Sequence, residues 1–321
     1  MNKYTSSIIY DIMQNPNKFI VDTPQMKELS ETIHKWHLNG FTGGIVIGAN
    51  RIGKTFAINK IKDDIKGRNG KKISAHYASI AQRDIGTIAG VLRIIAYSVG
   101  LKIKSTTPAD IIANDLIHYI GESATSSENP HSSILFVDEL QRIRPKQFEV
   151  FAELFDGLNN FDIQLTTIFI GNSIATDQLL EKMEEEPQYE LIRGRFFLNM
   201  YEYFGIRKYD ELKSCLKFID ENYLFTKGNS YIDDFLSGHN IQKDWRLVDI
   251  ADNIWSVYQN EFHKKQKIES WGMQYFRSMI ITLLFDFFPS QEFNDPIILE
   301  QMIEASINAS GLVPDQIRLI K

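Results

Sequence analysis

The sequence predicts an α/β fold: a five-stranded parallel sheet covered by helices, followed by an all-helical region. Three observations carry this reading. Short apolar runs alternate with segments of helical periodicity up to about residue 205. The first apolar run passes through a glycine-rich string directly into a helical segment. From residue 206 onward the periodic segments all have helical spacing.

The elements follow in order. GGIVIG (43–48) is a short apolar run and predicts a buried strand. Residues 54–66 place Phe56, Ile58, Ile61 and Ile65 at helical spacing. KKISAHYAS (71–79) reads as a second strand. Residues 85–99 and 108–120 read as helices, with Pro108 suited to a first helical turn. The polar stretch 122–133 reads as a loop, and ILFVDE (134–139) as a third strand. A helix over 145–158, a fourth strand QLTTIFIGN (164–172), a helix over 174–183 and a fifth strand RFFLNMYEY (195–203) complete this part. Strands joined by crossover helices pair in parallel and are covered on both faces. Ligands of such sheets bind beyond the carboxyl ends of the strands. Helices are then predicted over 206–216, 232–236, 243–262, 271–287 and 296–310. The expected organisation is an N-terminal extension (1–18), an α/β domain (19–205) and a helical domain (206–321).

Composition narrows the class. Apolar residues make up 43% and charged residues 24%, which fits a globular chain and excludes disorder throughout. No apolar run approaches the ~18 residues of a membrane span, and the N-terminal segment lacks the apolar core of a secretory signal. The single cysteine, Cys215, excludes an internal disulfide framework and a multi-cysteine zinc site, and fits a reducing cytosol. It lies near Leu212 and Leu216 and reads as core. The histidines show no metal spacing: His34 and His37 are three apart, with no third ligand evident. Lys and Arg number 35 against 41 Asp and Glu, a net charge of −6. A chain coated in positive charge is therefore excluded, while a local basic strip is not.

Gly48-Ala49-Asn50-Arg51-Ile52-Gly53-Lys54-Thr55 matches G-x-x-x-x-G-K-[ST] between a predicted strand and a predicted helix, the context this phosphate-binding loop requires. Its glycines let backbone N–H groups face phosphate oxygens, and the helix dipole favours anions there. These residues, with Phe56 behind them, are the expected nucleotide cradle. Lys54 would neutralise β/γ-phosphate charge, and Thr55 would join a Mg²⁺ shell.

The third strand ends in Asp138-Glu139. Two adjacent carboxylates at the exit of a buried strand suit an acid that holds Mg²⁺ (Asp138) and a general base for the attacking water (Glu139). The pair predicts ATP hydrolysis rather than binding alone. The fourth strand ends at Asn172, which could place water near the γ-phosphate or simply cap the next helix. Arg193-Gly194-Arg195 precedes the predicted fifth strand. Either arginine could stabilise γ-phosphate charge on a neighbouring subunit, or pair with acids such as Glu184–Glu186 or Glu190. Arg246, at the start of a predicted helix, could report nucleotide state to the helical domain.

Together these residues resemble the AAA+ ATPases, and within them the TnsC/TniB regulators of DNA transposition, with IstB and MuB as more distant relatives. Three stretches carry the resemblance: IHKWHLNGFTGGIVIGANRIGKT with its Trp36-His37; FVDELQRIRPKQFEVFAELFDGLNN (136–160); and IFIGNS followed by IRGRF. The resemblance spans roughly residues 19–255. It implies Walker A at Gly48–Thr55 and Walker B at Asp138 and Glu139. It makes Asn172 sensor 1, Arg195 or Arg193 the arginine finger, and Arg246 sensor 2. Phe19 and Val21 would line the adenine pocket. Middle positions Asn50-Arg51-Ile52 depart from the small residues frequent in relatives, and Gly171-Asn172-Ser173 stands where relatives often have Gly-Thr.

The resemblance further implies a bacterial cytoplasmic ATPase using ATP and Mg²⁺ that oligomerises as a ring or filament on double-stranded DNA. It would couple a target selector (TniQ- or TnsD-like) to a transposase (TnsB/TnsA-like). DNA would be gripped through its backbone by the segment after the second strand, with Arg83, Thr87, Lys102 and Lys104 as candidates. Two alternatives share the motifs: a helicase loader of the IstB/origin-recognition type and a STAND-type signalling NTPase.

Overall fold

The computed structural model describes residues 8–81, 86–226 and 230–313. They pack as two compact units. One comprises Glu28–Asn50 and Lys54–Tyr203. The other comprises the segment ending at Lys27, the loop residues Arg51–Gly53, and the chain from Phe204 onward. Among the described residues, no helix is long and apolar enough to cross a membrane.

The first unit is an α/β layer built on five parallel strands: β1 Gly43–Gly48, β2 Ser74–Ser79, β3 Ser132–Asp138, β4 Gln164–Asn172 and β5 Met200–Glu202. Their order is β2-β3-β4-β1-β5. All six residues of β1 are buried, as the unbroken apolar run of a central parallel strand requires. The two glycines opening β1 have a packing cause: a Cβ on Gly44 would sit 2.5 Å from the Trp36 ring. Trp36 lies on the helix Pro24–Leu38, whose next residue, His37, is buried with Nδ1 2.9 Å from Thr166 Oγ1 in β4. Burial lowers the His37 pKa to about 4, with His34 adding to the effect.

Helices Ile88–Ser98, Ala109–Thr125 and Glu149–Asn159 share one apolar cluster with inward residues of β3 and β4. An aromatic group anchors it: Phe151 meets Phe169 edge to face at 4.9 Å, and Phe148 meets Phe169 at 5.4 Å.

Register sets the site. Gly48 of β1 pairs with Asn172 of β4, while Asp138 of β3 pairs with Ile170. The exits of the three central strands therefore finish within two residues of one another.

Several boundaries differ from expectation. Residues 195–203 do not form one strand: Glu190–Phe196 is a helix, and only Met200–Glu202 pairs with β1. A strand would send Phe196 and Phe197 to opposite faces. Instead both rings enter the aromatic group, Phe196 at 5.8 Å and Phe197 at 5.7 Å from Phe169. The second strand starts at Ser74, not Lys71. The third helix runs on to Thr125, past the expected loop start, because Ala124 is buried in the core.

The second unit is helical, with its own core running from Ile9 and Phe19 through Trp271 and Phe276 to Leu312. The helix expected from residue 243 starts only at Leu247, as a 3₁₀ turn that continues into Ala251–Val257. Its start is set from a distance: the buried Asp220 carboxylate accepts the N–H groups of Leu247 (2.8 Å) and Val248 (3.0 Å). Burial raises the Asp220 pKa to about 6 even though these bonds and Arg246 oppose the rise.

Candidate nucleotide site

The loop between β1 and the helix Lys54–Asp64 is shaped by two left-handed residues, Arg51 (φ 59) and Gly53 (φ 109). Gly53 adopts this region without the Cβ cost that an L side chain carries. Gly48 is required by space: a Cβ there would fall 2.4 Å from the Tyr203 carbonyl oxygen. Ile52 is buried at 2% exposure, so the departure from a small middle residue serves packing, while Asn50 and Arg51 are exposed.

Lys54 folds back over the loop and donates to the Gly48 and Ala49 carbonyl oxygens at 2.7 and 2.8 Å. Burial pulls its pKa down to about 8 against the opposing pull of Asp138 and Glu139. The ammonium is thus poorly compensated and gains from an arriving polyanion.

Asp138 is 5% exposed and fully engaged. Its Oδ2 accepts from Thr55 Oγ1 and from Tyr77 Oη, each at 2.7 Å. Its Oδ1 accepts the Glu139 N–H at 2.8 Å. Glu139 stands at the strand exit in the left-handed region (φ 67). Its Oε2 accepts from Gln141 Nε2 at 2.7 Å and lies 3.3 Å from Arg142 Nη2. The hydroxyl–carboxylate pair of Thr55 and Asp138 is an oxygen donor set with one buried negative charge. That chemistry fits Mg²⁺, which takes one or two carboxylates and completes its shell with phosphate and water.

At the tip of β4, Asn172 caps the next helix and also bonds to the phosphate loop. Its Oδ1 accepts the Ala175 N–H (3.2 Å), capping the helix Ser173–Glu184, while its Nδ2 donates to Asn50 Oδ1 in the phosphate loop (3.0 Å). Arg195 lies on the helix Glu190–Phe196, with Nη1 on both Asp156 carboxylate oxygens (3.2 and 3.1 Å). Arg193 stands 3.9 Å from Glu184, one of the acids the sequence suggested. Of the nucleic-acid candidates, Lys102 and Lys104 are exposed. Thr87 caps Ile88–Ser98 by accepting the Gly90 N–H at 3.1 Å. Arg83 lies outside the described residues.

Three expected residues belong to the helical unit. Phe19 and Val21 are buried in its core, Phe19 edge-on to Tyr223 at 5.1 Å. The Arg246 guanidinium lies 4.0 Å from the Phe225 ring centroid and donates to the Trp245 carbonyl oxygen.

Sequence reasoning missed Tyr77 and Gln141, and noted Arg142 only within the stretch that carries the resemblance, without a role. Tyr77 had one available signal: it lies two residues before the end of β2, the strand paired with β3.

Residues 40–180 match the family model described as an AAA domain. The matched residues hold β1 to β4, the phosphate loop and the acidic strand exit, within a fold of five parallel strands followed by a helical region. No curated protein matches the chain. Similar solved structures include Orc1 of Aeropyrum pernix in complex with DNA, at 13% identity over 89% of this chain and 82% of that one, TM-score 0.42. Cdc6p of Pyrobaculum aerophilum is 15% identical over 97% and 82%, TM-score 0.41. A RuvB variant of Thermotoga maritima is 14% identical over 89% and 70%, TM-score 0.41.

Proposed function

We propose that the chain is a Mg²⁺-dependent ATPase that assembles on double-stranded DNA and regulates transposition, linking a target selector to a transposase. One observation carries the ATPase reading: Thr55 and Asp138 meet at 2.7 Å beneath a phosphate loop, with Glu139 at the same strand exit. In this reading loop N–H groups and Lys54 hold the β/γ-phosphates, and Thr55 and Asp138 would hold Mg²⁺, which would neutralise phosphate charge. Asn172 steadies the loop beside the γ-phosphate. Glu139 takes the proton of the attacking water as its oxygen bonds to phosphorus, and ADP leaves with the bridging oxygen. Arg195, or Arg193, exchanges its carboxylate partner for the γ-phosphate of a neighbouring copy. The resemblance assigns Arg246, Phe19 and Val21 to the nucleotide as well.

The transposition reading rests on the stretches around Trp36-His37, on 136–160 and on the Asn172 to Arg195 region, which resemble TnsC/TniB proteins. DNA contact by Lys102, Lys104, Thr87 and Arg83 would be to phosphates, and hydrolysis would release or trim the assembly.

Binding to a plain duplex should be measured with ATP, a non-hydrolysable analogue and ADP at two salt concentrations, beside ATP turnover. Cooperative, ATP-dependent binding that weakens steeply with salt supports the regulator. ATP binding without DNA binding in any nucleotide state would sink the transposition reading and leave the ATPase.

A further inference from the structure

Glu139 is held from both neighbouring strands. Gln141 uses both ends of its amide: Nε2 donates to Glu139 Oε2 at 2.7 Å, and Oε1 accepts the Asn172 N–H at the tip of β4 at 3.2 Å. Arg142 likewise has two partners. Its Nη1 donates to the Ile80 carbonyl oxygen just past β2 at 2.7 Å, and its Nη2 lies 3.3 Å from the same Oε2. β3 lies between β2 and β4, so the carboxylate at its exit is tied to the ends of both flanking strands. Space is kept for this arrangement: a Cβ on Gly171 would come 2.3 Å from Thr176 Oγ1 and 3.2 Å from Gln141 Oε1.

The Gln141 amide donor and the Arg142 guanidinium meet at one carboxylate oxygen. A base held through one oxygen offers the other in a fixed direction, the relation of base to orienter seen in activated nucleophile sites. We propose that Gln141 and Arg142 are positioning residues that clamp Oε2 of Glu139 against the ends of β4 and β2, leaving Oε1 to take the proton of the attacking water. The inference rests on the ATPase reading above and adds residues to it. Gln141 ties the base to the strand tip that carries Asn172. Arg142 ties it to the start of the segment proposed to meet DNA.

The test compares Gln141→Ala, Gln141→Glu, Arg142→Ala and Arg142→Lys with wild type and Glu139→Gln. Loss of orientation at a reacting group costs up to about 100-fold, so kcat should fall roughly 10- to 100-fold in Gln141→Ala and Arg142→Ala, with the Kd for ATP within about twofold of wild type. Gln141→Glu is the discriminating variant. Its carboxylate still accepts the Asn172 N–H and fills the same space, but cannot donate to Glu139. It should fall at least as far as Gln141→Ala, because the added carboxylate also repels Glu139, and only full rescue by it would speak for a residue that merely packs. Arg142→Lys should recover part of the loss.

Affinity for ADP with aluminium fluoride gives a readout without turnover. It should weaken in both alanine variants while ADP affinity stays unchanged. Normal kcat in Gln141→Ala and Arg142→Ala, or rescue by Gln141→Glu, overturns the clamp. Turnover that Glu139→Gln leaves untouched overturns the ATPase reading itself, and the clamp with it.

Discussion

Lys54 makes the site sensitive to alkali in a way that can be worked from its environment. Burial brings its pKa from 10.5 to about 8. ATP binding needs the ammonium, because a neutral amine offers a triphosphate no charge. If the bound lysine stays protonated, the apparent Kd scales with the fraction of free protein that is already charged. Moving from pH 7 to pH 9 should then weaken ATP binding about tenfold, or ~1.4 kcal/mol. The sign for folding is opposite. The folded pKa is depressed, so between about 8 and 10.5 the unfolded chain binds more protons, and stability rises with pH as ATP affinity falls. Isothermal titration of ATP at pH 7, 8 and 9 would measure the first effect and urea melts the second. Lys54→Arg supplies the control, since a guanidinium keeps its charge throughout this range. A Kd that is flat to pH 9 in the wild type, or that rises equally in Lys54→Arg, would refute the argument that burial tunes this lysine.

Three further outcomes are expected. Glu139→Gln should lower turnover by about 100-fold or more, while ATP binding measured by fluorescence persists, if Glu139 is the base as proposed. Gly48→Ala should weaken ATP binding by at least about tenfold: its Cβ would lie 2.4 Å from a carbonyl oxygen of the main chain, so the loop or Tyr203 must move. Acid should destabilise the α/β unit, because His37 and His76 are held near pKa 4 by burial and stay neutral when folded. Their stabilisation is present above pH 6.5 and is lost as pH falls toward 4, about 1.3 kcal/mol for each histidine between pH 7.5 and 5.5. Urea melts of wild type and of a His37→Gln, His76→Gln double variant should diverge over that range, and parallel curves would exclude these two groups.

What was legible in the sequence was the chemistry that is contiguous along the chain. The phosphate loop, the acidic pair and the end of the fourth strand each fit within one stretch, and parallel pairing brings their carboxyl ends together. What was hidden depends on contacts across the chain. Tyr77 reaches Asp138 only because β2 pairs with β3. Gln141 and Arg142 matter through Asn172 and Ile80, which strand order alone makes neighbours. The misread fifth strand has the same origin. RFFLNMYEY is rich in residues that favour strands, but Phe196 and Phe197 satisfy a cluster centred on Phe169, and the helix end lets both rings point into it. The start of the helix at Leu247 is likewise set by a carboxylate at position 220, far outside any local window.

Asn172 shows why a residue type can resolve a choice that position cannot. The sequence offered a helix cap or a polar group beside the phosphates, as if these competed. A primary amide carries an acceptor and a donor on one planar head, and here the oxygen caps Ser173–Glu184 while the nitrogen reaches Asn50. The two roles can be separated. Asn172→Ser keeps an oxygen at capping distance from the helix and gives up the longer reach to the loop. Asn172→Ala loses both. Stability should therefore differ between the variants by about 1 kcal/mol, the usual worth of a cap, with serine close to wild type. Turnover should be equally impaired in both, because neither side chain reaches Asn50. A serine variant that melts like wild type and also hydrolyses ATP like wild type would reduce Asn172 to a cap.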